Sequence, residues 1–260
     1  MMKSIKFVKM HGAGNDFILV DDRKGDFPLV APHQIAAFAN RPTGIGCEGV
    51  ILVQTSRKAD FRMRFFNPDG SSADLCGNGA RCVAAFAREI GAAQSDSMRF
   101  ETDAGEITAR LLGPTQVRLA MPAPRNRRGN FIVTGVPHQI VEEPDLGSVD
   151  VVSEGRRIRN APAFAPEGTN VDFVHWTSPH AVAIRTYERG VEAESFACGT
   201  GAVAAALVGI ANGNGAFPVE VRTVRGDTLV VDGTYAADDF SNITLTGPVQ
   251  RVFDGMWTVP

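Results

Sequence analysis

Asp69–Gly91 reads DGSSADLCGNGARCVAAFAREIG and sets a cysteine, Cys76, where a helix should begin. A near copy, CGTGAVAAALVGIANG, starts at Cys198, 122 residues further on. Each copy is a Cys-Gly-x-Gly-Ala turn running into a small, apolar segment of helical character. Glycines at Gly77, Gly79, Gly199 and Gly201 let the backbone approach a ligand closely. The unpaired amides of a helix start, with the helix dipole, attract a carboxylate or a phosphate. The same field favours a thiolate, which makes such a cysteine a better base or nucleophile. One copy alone reads equally well as a small-residue helix packed in a core, with cysteine as a small hydrophobe. Two matched copies favour a pair of equivalent sites.

Other spacings agree with the first. Gly226 lies 121 residues beyond Gly105 and Gly190 lies 120 beyond Gly70; PVEVRTVRGDTLVVDG matches MRFETDAGEITARLL, NITLTGP matches QVRLAMP, and AVAIRTYERG takes the place of FRMRFFNPDG. The expected fold is α/β (α+β): two pseudo-symmetric lobes, each a mostly antiparallel curled sheet around a central helix. Residues 1–122 are expected to form the N-terminal lobe with Cys76, completed by 247–260, and residues 123–246 the C-terminal lobe with Cys198. Ala123–Gly129, rich in Pro and Arg, is expected as the linker, with a ligand between the halves.

Local patterns place the remaining elements. KFVKM and FILVDD read as strands around an HGAGND turn, where Asn15 can aim its amide at a ligand. Ala31–Asn40 reads as a short helix, Val50–Val53 and Phe61–Asn67 as strands, and Cys76–Gly91 as a helix capped by Gly91. Cys82 follows Cys76 by six residues, 600° of helical rotation at about 100° per residue, so it points elsewhere and is expected to be structural. Cys47 is expected to pack as a small residue.

Composition narrows the function classes. The 260 residues are 44% hydrophobic and 21% charged, as in an ordinary soluble globular chain, and a net charge of −3 argues against nucleic-acid binding. The Arg125–Arg128 and Arg156–Arg157 clusters read as solvated loop charges. No apolar run approaches the roughly 18 residues of a membrane span, and MMKSIKFVKMHG lacks the apolar core of a signal peptide, so a cytoplasmic protein without a membrane partner is expected. The four cysteines form no CxxC pair and no Cys/His zinc spacing, which predicts free thiols, no disulfide framework and no metal.

Two thiols on equivalent helix starts suit racemisation at an amino-acid α-carbon. A thiolate removes the proton on one face while a thiol supplies one on the other, and the roles exchange in the reverse direction. No cofactor is needed. A carboxylate held by the helix amides would be stabilised as charge develops on it.

With KMHGAGNDF, GIGCEG, FNPDGSSADLCGNGARC, GVPH, GTNVDF, YERG and ACGTGA in that order, the chain resembles the diaminopimelate epimerases, pyridoxal-independent enzymes of lysine and peptidoglycan biosynthesis. The resemblance covers nearly the whole chain and implies a homodimer of two-lobed subunits that epimerises LL-2,6-diaminopimelate to the meso form. It implies that Cys76 and Cys198 are the acid/bases, with His138 and Glu188 beside the reacting centre. It further implies that Asn15, Asn67, Gly77, Asn78, Asn170, Glu188, Arg189, Gly199 and Thr200 bind substrate. Glu188 would pair with an ammonium and Arg189 would fork onto a carboxylate. His11 has weaker support, and His33, His175 and His180 have none.

Three departures bear on the substrate. Val136 stands where the family pattern has an asparagine that binds the far end of diaminopimelate. The segment before ACGTG is one residue longer than its commonest form, placing Glu192 or Glu194 at a family glutamate, and Gly49 replaces a glutamine found in some relatives. An epimerase of another amino acid, such as histidine, is therefore the alternative. A cysteine hydrolase built on Cys76 and His138 would leave the second cysteine motif unexplained, as would a redox-sensing binder whose thiols oxidise.

Overall fold

A computed structural model describes residues 4–29, 31–74 and 76–259. The chain divides into two compact units, Met1–Leu119 with Gly247–Pro260, and Ala120–Thr246. The first unit thus ends at Leu119 rather than at 122, and the segment read as a linker carries a strand, Arg125–Arg128, paired with Phe131–Val133.

In unit one, Ser4–Gly12 lies antiparallel to both Gln250–Thr258 and Asn15–Asp21. Asn15–Asp21 pairs in parallel with Gly49–Gln54, and helix α1 (Pro32–Ala39) makes the crossover that a parallel pair requires. Gly49–Gln54 continues antiparallel to Phe61–Phe66, which carries the short strand Ser72–Ala73 and pairs in parallel with Ser97–Thr102. Helix α2 (Gly77–Glu89) makes that second crossover. The antiparallel strands Gly105–Leu111 and Gln116–Ala120 follow.

Unit two repeats the plan. Arg125–Arg128, Phe131–Val133 and Pro137–Glu142 form an antiparallel meander. Helix α3 (Val151–Arg159) crosses to Asn170–Ser178, parallel to Pro137–Glu142. Ala181–Glu188 pairs antiparallel with that strand and with Ala193–Ser195, and helix α4 (Gly199–Ala211) crosses to Val219–Arg222. Thr228–Ala236 and Asp239–Pro248 complete the unit.

The registers show that this is one pattern used twice. Phe17 opposite Gly49 recurs as His138 opposite Asn170, Ile51 opposite Phe65 as Asp172 opposite Thr186, and Arg62 opposite Glu101 as Ala183 opposite Arg222. Every one of these positions moves by 121, the difference between 17 and 138. Arg125–Arg128 and Gln250–Thr258 also correspond, since each follows the meander that closes the other unit. That connectivity is why unit one has two chain segments.

Helix burial follows side-chain size. In α2 the buried residues are Ala80, Cys82, Val83, Ala84, Phe86 and Ala87 together with Asn78, Gly79 and Arg81, and Gly91 at φ +69° ends the helix as its sequence predicts. In α4 every residue from Gly201 to Ile210 is buried, the state expected of a helix that is apolar all round. Helix α1 packs Ile35 and Phe38 with Ile5, Phe7, Ile18 and Leu52, and α3 packs Val151 with Val171, Phe173 and Tyr187.

The structure departs from the sequence reading in three further places. The HGAGND segment is not a six-residue turn: the strands run to Gly12 and from Asn15, joined by Ala13 and Gly14 at φ +52° and +83°. Two successive left-handed residues make the tight hairpin turn that matches strand twist, so Asn15 starts a strand. The Arg clusters are largely solvent-facing, as expected, but lie on regular elements rather than in loops. Arg127 pairs with Asp238 and Arg128 lies over the Phe131 ring, while Arg156 and Arg157 occupy the last turn of α3, where cations suit the helix dipole.

The third departure is α3, which has no counterpart among the predicted helices. Its central Gly155 lowers helical propensity, but a Cβ there would lie 2.3 Å from Tyr187 Cβ and 2.5 Å from its Cγ. The glycine lets the helix touch a tyrosine that has no exposure. Gly155→Ala should therefore destabilise the protein by about 1–3 kcal/mol, overpacking outweighing the usual gain in helix propensity. Urea denaturation midpoints measure this, and an unchanged or more stable variant would contradict the contact.

Candidate active site

Cys76 is the N-cap of α2, with φ −127° and ψ 119°, and its carbonyl accepts the Ala80 amide at 2.7 Å. Gly79 has no room for a side chain, because a Cβ would stand 2.9 Å from Ile51 Cδ1. At Gly77 a Cβ would meet nothing within 4 Å, so the first turn is closed toward the sheet and open on its outer face. Cys76 Sγ lies 3.7 Å from Asn15 Oδ1, which also accepts from Asn78 Nδ2 at 3.4 Å. Asn78 Oδ1 in turn accepts from Arg81 at 2.7 Å, and Arg81 has no solvent exposure. Thus Asn15, Cys76, Gly77 and Asn78 come together. Asn67 sits in its own turn, where its side-chain amide donates to Ser71 Oγ at 3.0 Å.

Cys198 caps α4 in the same way, with φ −107° and ψ 109°, and its sulfur accepts the Gly201 amide at 3.4 Å. A Cβ at Gly201 would lie 2.5 Å from Asp172 Oδ1. Behind the thiol runs a chain of polar contacts. Cys198 Sγ is 3.4 Å from Thr200 Oγ1, Thr200 Oγ1 is 3.0 Å from His138 Nε2, and His138 Nδ1 is 2.7 Å from Asp172 Oδ2. Thr186 Oγ1 donates to Asp172 Oδ1 at 2.7 Å, and Thr134 Oγ1 fixes the helix start by donating to the Thr200 carbonyl at 2.9 Å. His138 and Asp172 are both fully buried.

Glu188 ends strand Ala181–Glu188 and acts on Cys198 through its charge. Asn170 Oδ1 accepts the Arg189 amide at 2.7 Å, joining GTNVDF to YERG. The two glutamates of the longer segment are committed elsewhere. Glu194 takes Arg185 in a two-pronged pair at 2.7 and 2.8 Å, while Glu192 accepts from Tyr187 Oη at 3.0 Å and pairs with Arg159 at 2.8 Å. His11 accepts the Gly14 amide in its turn, and His175 and His180 bond to backbone carbonyls of Glu143 and Pro218. Among the described residues no three His, Cys, Asp or Glu side chains gather as a metal-ligand set.

Electrostatics corrects one expectation. A helix start should favour a thiolate, yet the Cys198 thiol is held well above its ordinary range by burial and then by the charges of Glu188 and Asp172. Hydrogen bonds from Thr200 and the Gly201 amide oppose this and lose. Burial also pushes Cys47 up to about 11 and Cys82 up to about 12, in keeping with the structural roles read from their positions.

Asp172, Thr186, Thr134 and Arg81 were not singled out by the sequence reading. Asp172 was within reach, since it follows Asn170 by two residues in NVDF and so shares its face of the strand. Arg81 also left a signal, as a charge inside a run of small residues destined for burial.

Comparison with known proteins places these motifs in a family. The family model described as diaminopimelate epimerase matches residues 7–125 and 130–252. The diaminopimelate epimerase of Chlorobaculum tepidum is 42% identical over 261 residues, covering 96% of this chain and 100% of that protein. That of Aquifex aeolicus is 39% identical over 281 residues, covering 96% and 97%. Among solved structures, a PhzF-family phenazine biosynthesis protein from Bacillus anthracis aligns with a TM-score of 0.76 at 17% identity, covering 99% of this chain and 100% of that one. A hydroxyproline epimerase from Agrobacterium vitis aligns with a TM-score of 0.72 at 17% identity, covering 100% and 94%. These two show the shared fold.

The thiol environments predict an order of reactivity. With iodoacetamide at neutral pH, Cys47 and Cys82 should stay unmodified in the folded protein, and labelling of Cys198 should rise as pH is raised, because only the thiolate reacts. Peptide mass spectrometry reads each site separately. Rapid modification of Cys82 at neutral pH would refute its buried environment.

Proposed function

The chain belongs to the diaminopimelate epimerase family, and from that premise we propose how its two cysteines divide the work of converting LL-2,6-diaminopimelate to the meso isomer. It is an isomerase, an amino-acid epimerase serving lysine and peptidoglycan precursor synthesis. Cys76 and Cys198 act on opposite faces of one α-carbon. One is the thiolate that removes the α-proton and the other the thiol that returns a proton on the opposite face. Proton transfer reverses both states, so the reverse reaction uses the same groups in exchanged roles. No cofactor takes part in this scheme.

The observation that carries the reading is the pair of N-cap thiols on equivalent helices. Amides of Gly77, Asn78, Gly199 and Thr200 at the helix starts hold the substrate α-carboxylate and stabilise the charge that builds on it as the proton leaves. Asn15, Asn67 and Asn170 orient its polar groups, Glu188 takes an ammonium, and Arg189 forks onto the distal carboxylate. Val136 precedes His138 by two residues, as Asn15 precedes Phe17, so an apolar side chain occupies the unit-two place of an amide. The distal end of the substrate loses one hydrogen bond there, and this favours a second reading in which another amino acid, such as histidine, is the substrate.

The experiment is exchange of the α-hydrogen in deuterated water. Deuterium should enter diaminopimelate, and Cys76→Ser and Cys198→Ser should each lower kcat/KM by about 10²–10⁴-fold, the range that positioned acid/base groups supply. Exchange with other amino acids but not with diaminopimelate would leave the two-thiol chemistry and overturn the substrate. Full epimerisation by Cys198→Ser would overturn the chemistry.

The assembly is a cytoplasmic homodimer in this reading. Met256, on strand Gln250–Thr258, is 64% exposed, an apolar side chain that a second copy would cover. No helix among the described residues is long and apolar enough to cross a membrane. Met256→Asp should shift the protein from dimer to monomer in sedimentation equilibrium, and a dimer that survives the change would place the interface elsewhere.

A further inference from the structure

We propose that Asp172 is a positioning residue that fixes the His138 tautomer, making His138 and Thr200 a proton store for Cys198. The proposal rests on the two-thiol reading above and deepens it. Asp172 accepts the Thr186 hydroxyl on Oδ1 at 2.7 Å, so its other oxygen, 2.7 Å from His138 Nδ1, meets an Nδ1–H. A carboxylate only accepts. The neutral ring is then an acceptor at Nε2, where it takes the Thr200 hydroxyl proton at 3.0 Å, and Thr200 Oγ1 is left to accept from the Cys198 thiol at 3.4 Å. All the donors in the chain point toward Asp172. When Cys198 has to serve as base, its S–H proton passes to Thr200 Oγ1 while the Thr200 hydroxyl proton passes to His138 Nε2. The products are a thiolate and an imidazolium whose charge Asp172 balances; reversal returns the proton, and nothing is oxidised or reduced.

Comparison of the two units shows that packing does not require this polar set. By strand register, His138, Asp172 and Thr186 occupy the places that Phe17, Ile51 and Phe65 hold in unit one. There the Phe17 and Phe65 rings pack edge to face at 6.2 Å, and Ile51 fills the space against Gly79 that Asp172 fills against Gly201. The same scaffold therefore closes with an apolar trio. Replacing it with three buried polar groups costs desolvation that hydrogen bonds only partly recover, which points to a task for the polar groups at Cys198. The titratable groups set around that thiol are Glu188 on strand Ala181–Glu188, Asp172 on Asn170–Ser178 and His138 on Pro137–Glu142.

Asp172→Asn separates this relay from simple charge proximity. Loss of a negative charge near Cys198 would, through space alone, ease thiolate formation and speed its alkylation. The relay gives the opposite sign, because an asparagine amide can donate to Nδ1, turning Nε2 into a donor and closing the route out of the thiol. Iodoacetamide labelling at pH 7.5, followed by peptide mass spectrometry with Cys76 as internal reference, should show Cys198 slowed about tenfold and Cys76 unchanged. Thr200→Val, which removes the link and leaves the His138–Asp172 pair intact, should slow Cys198 similarly, and Thr200→Ser should restore it. Unchanged or faster Cys198 labelling in Asp172→Asn, or wild-type labelling in Thr200→Val, overturns the proposal. Should Asp172→Asn not fold, the Thr200 pair decides alone. Labelling does not depend on turnover, so this result stands apart from the loss of epimerisation in Cys198→Ser that tests the two-thiol reading itself.

Discussion

Everything in each unit hangs on the close approach of a helix start to the strands beneath it. Gly79 and Gly201 are the contact points: a Cβ would stand 2.9 Å from Ile51 in one case and 2.5 Å from Asp172 in the other. With no side chain in the way, the first turn rests directly on the sheet, and the N-cap cysteine is held at a fixed offset from particular strand residues. Amides at a helix start have no carbonyl of a preceding turn to bond, which suits such a turn to a ligand. A larger residue at either glycine would lift the turn and separate the sulfur from its partners.

Two units built on this contact share a backbone and differ in what fills it. In unit one the strand positions behind the helix start are apolar, and the helix carries a buried cation, Arg81. In unit two the strand positions carry a buried carboxylate, Asp172. The helix position matching Arg81, five residues past the cysteine, is Val203, which is buried and uncharged. Opposite signs of charge are thus buried in the two units. Burial and the charges of Glu188 and Asp172 outweigh the hydrogen bonds from Thr200 and the Gly201 amide, so the Cys198 thiol is held above its ordinary range although it occupies a position that should favour a thiolate.

How much of this was legible in the sequence depends on where each signal lives. The duplication was legible, because spacings of 120 to 122 residues between cysteines and glycines survive as strand registers that recur at 121. The positions of both cysteines at helix starts were legible from glycine and alanine content. Helix α3 was not, since its Gly155 answers to Tyr187, a residue 32 positions away that local propensity cannot see. The Asn15 turn was misread because two successive residues at positive φ compress what looks like a six-residue loop. Asp172 and Thr186 form a hydrogen-bonded pair across two strands, and a pairing of that kind becomes visible only once the register is known. Val136 was the reverse case, a departure from the family pattern plain in the sequence itself.

Under the proposed two-thiol reaction the difference between the two fillings has a chemical rationale. A two-thiol epimerase functions when one sulfur carries a proton and the other does not, and a perfectly symmetric pair would populate the two singly protonated arrangements equally. Half the molecules would then meet a given isomer with the acid on the wrong face. Each 1.4 kcal/mol of electrostatic bias shifts that ratio about tenfold, and at Cys198 burial and the charges of Glu188 and Asp172 bias the sulfur toward its protonated form. The selection has a cost, because the reverse direction must begin from the disfavoured state. In the proposed relay a histidine linked through Thr200 to the Cys198 thiol gives that state a route, and it is found in the unit where a buried carboxylate opposes ionisation.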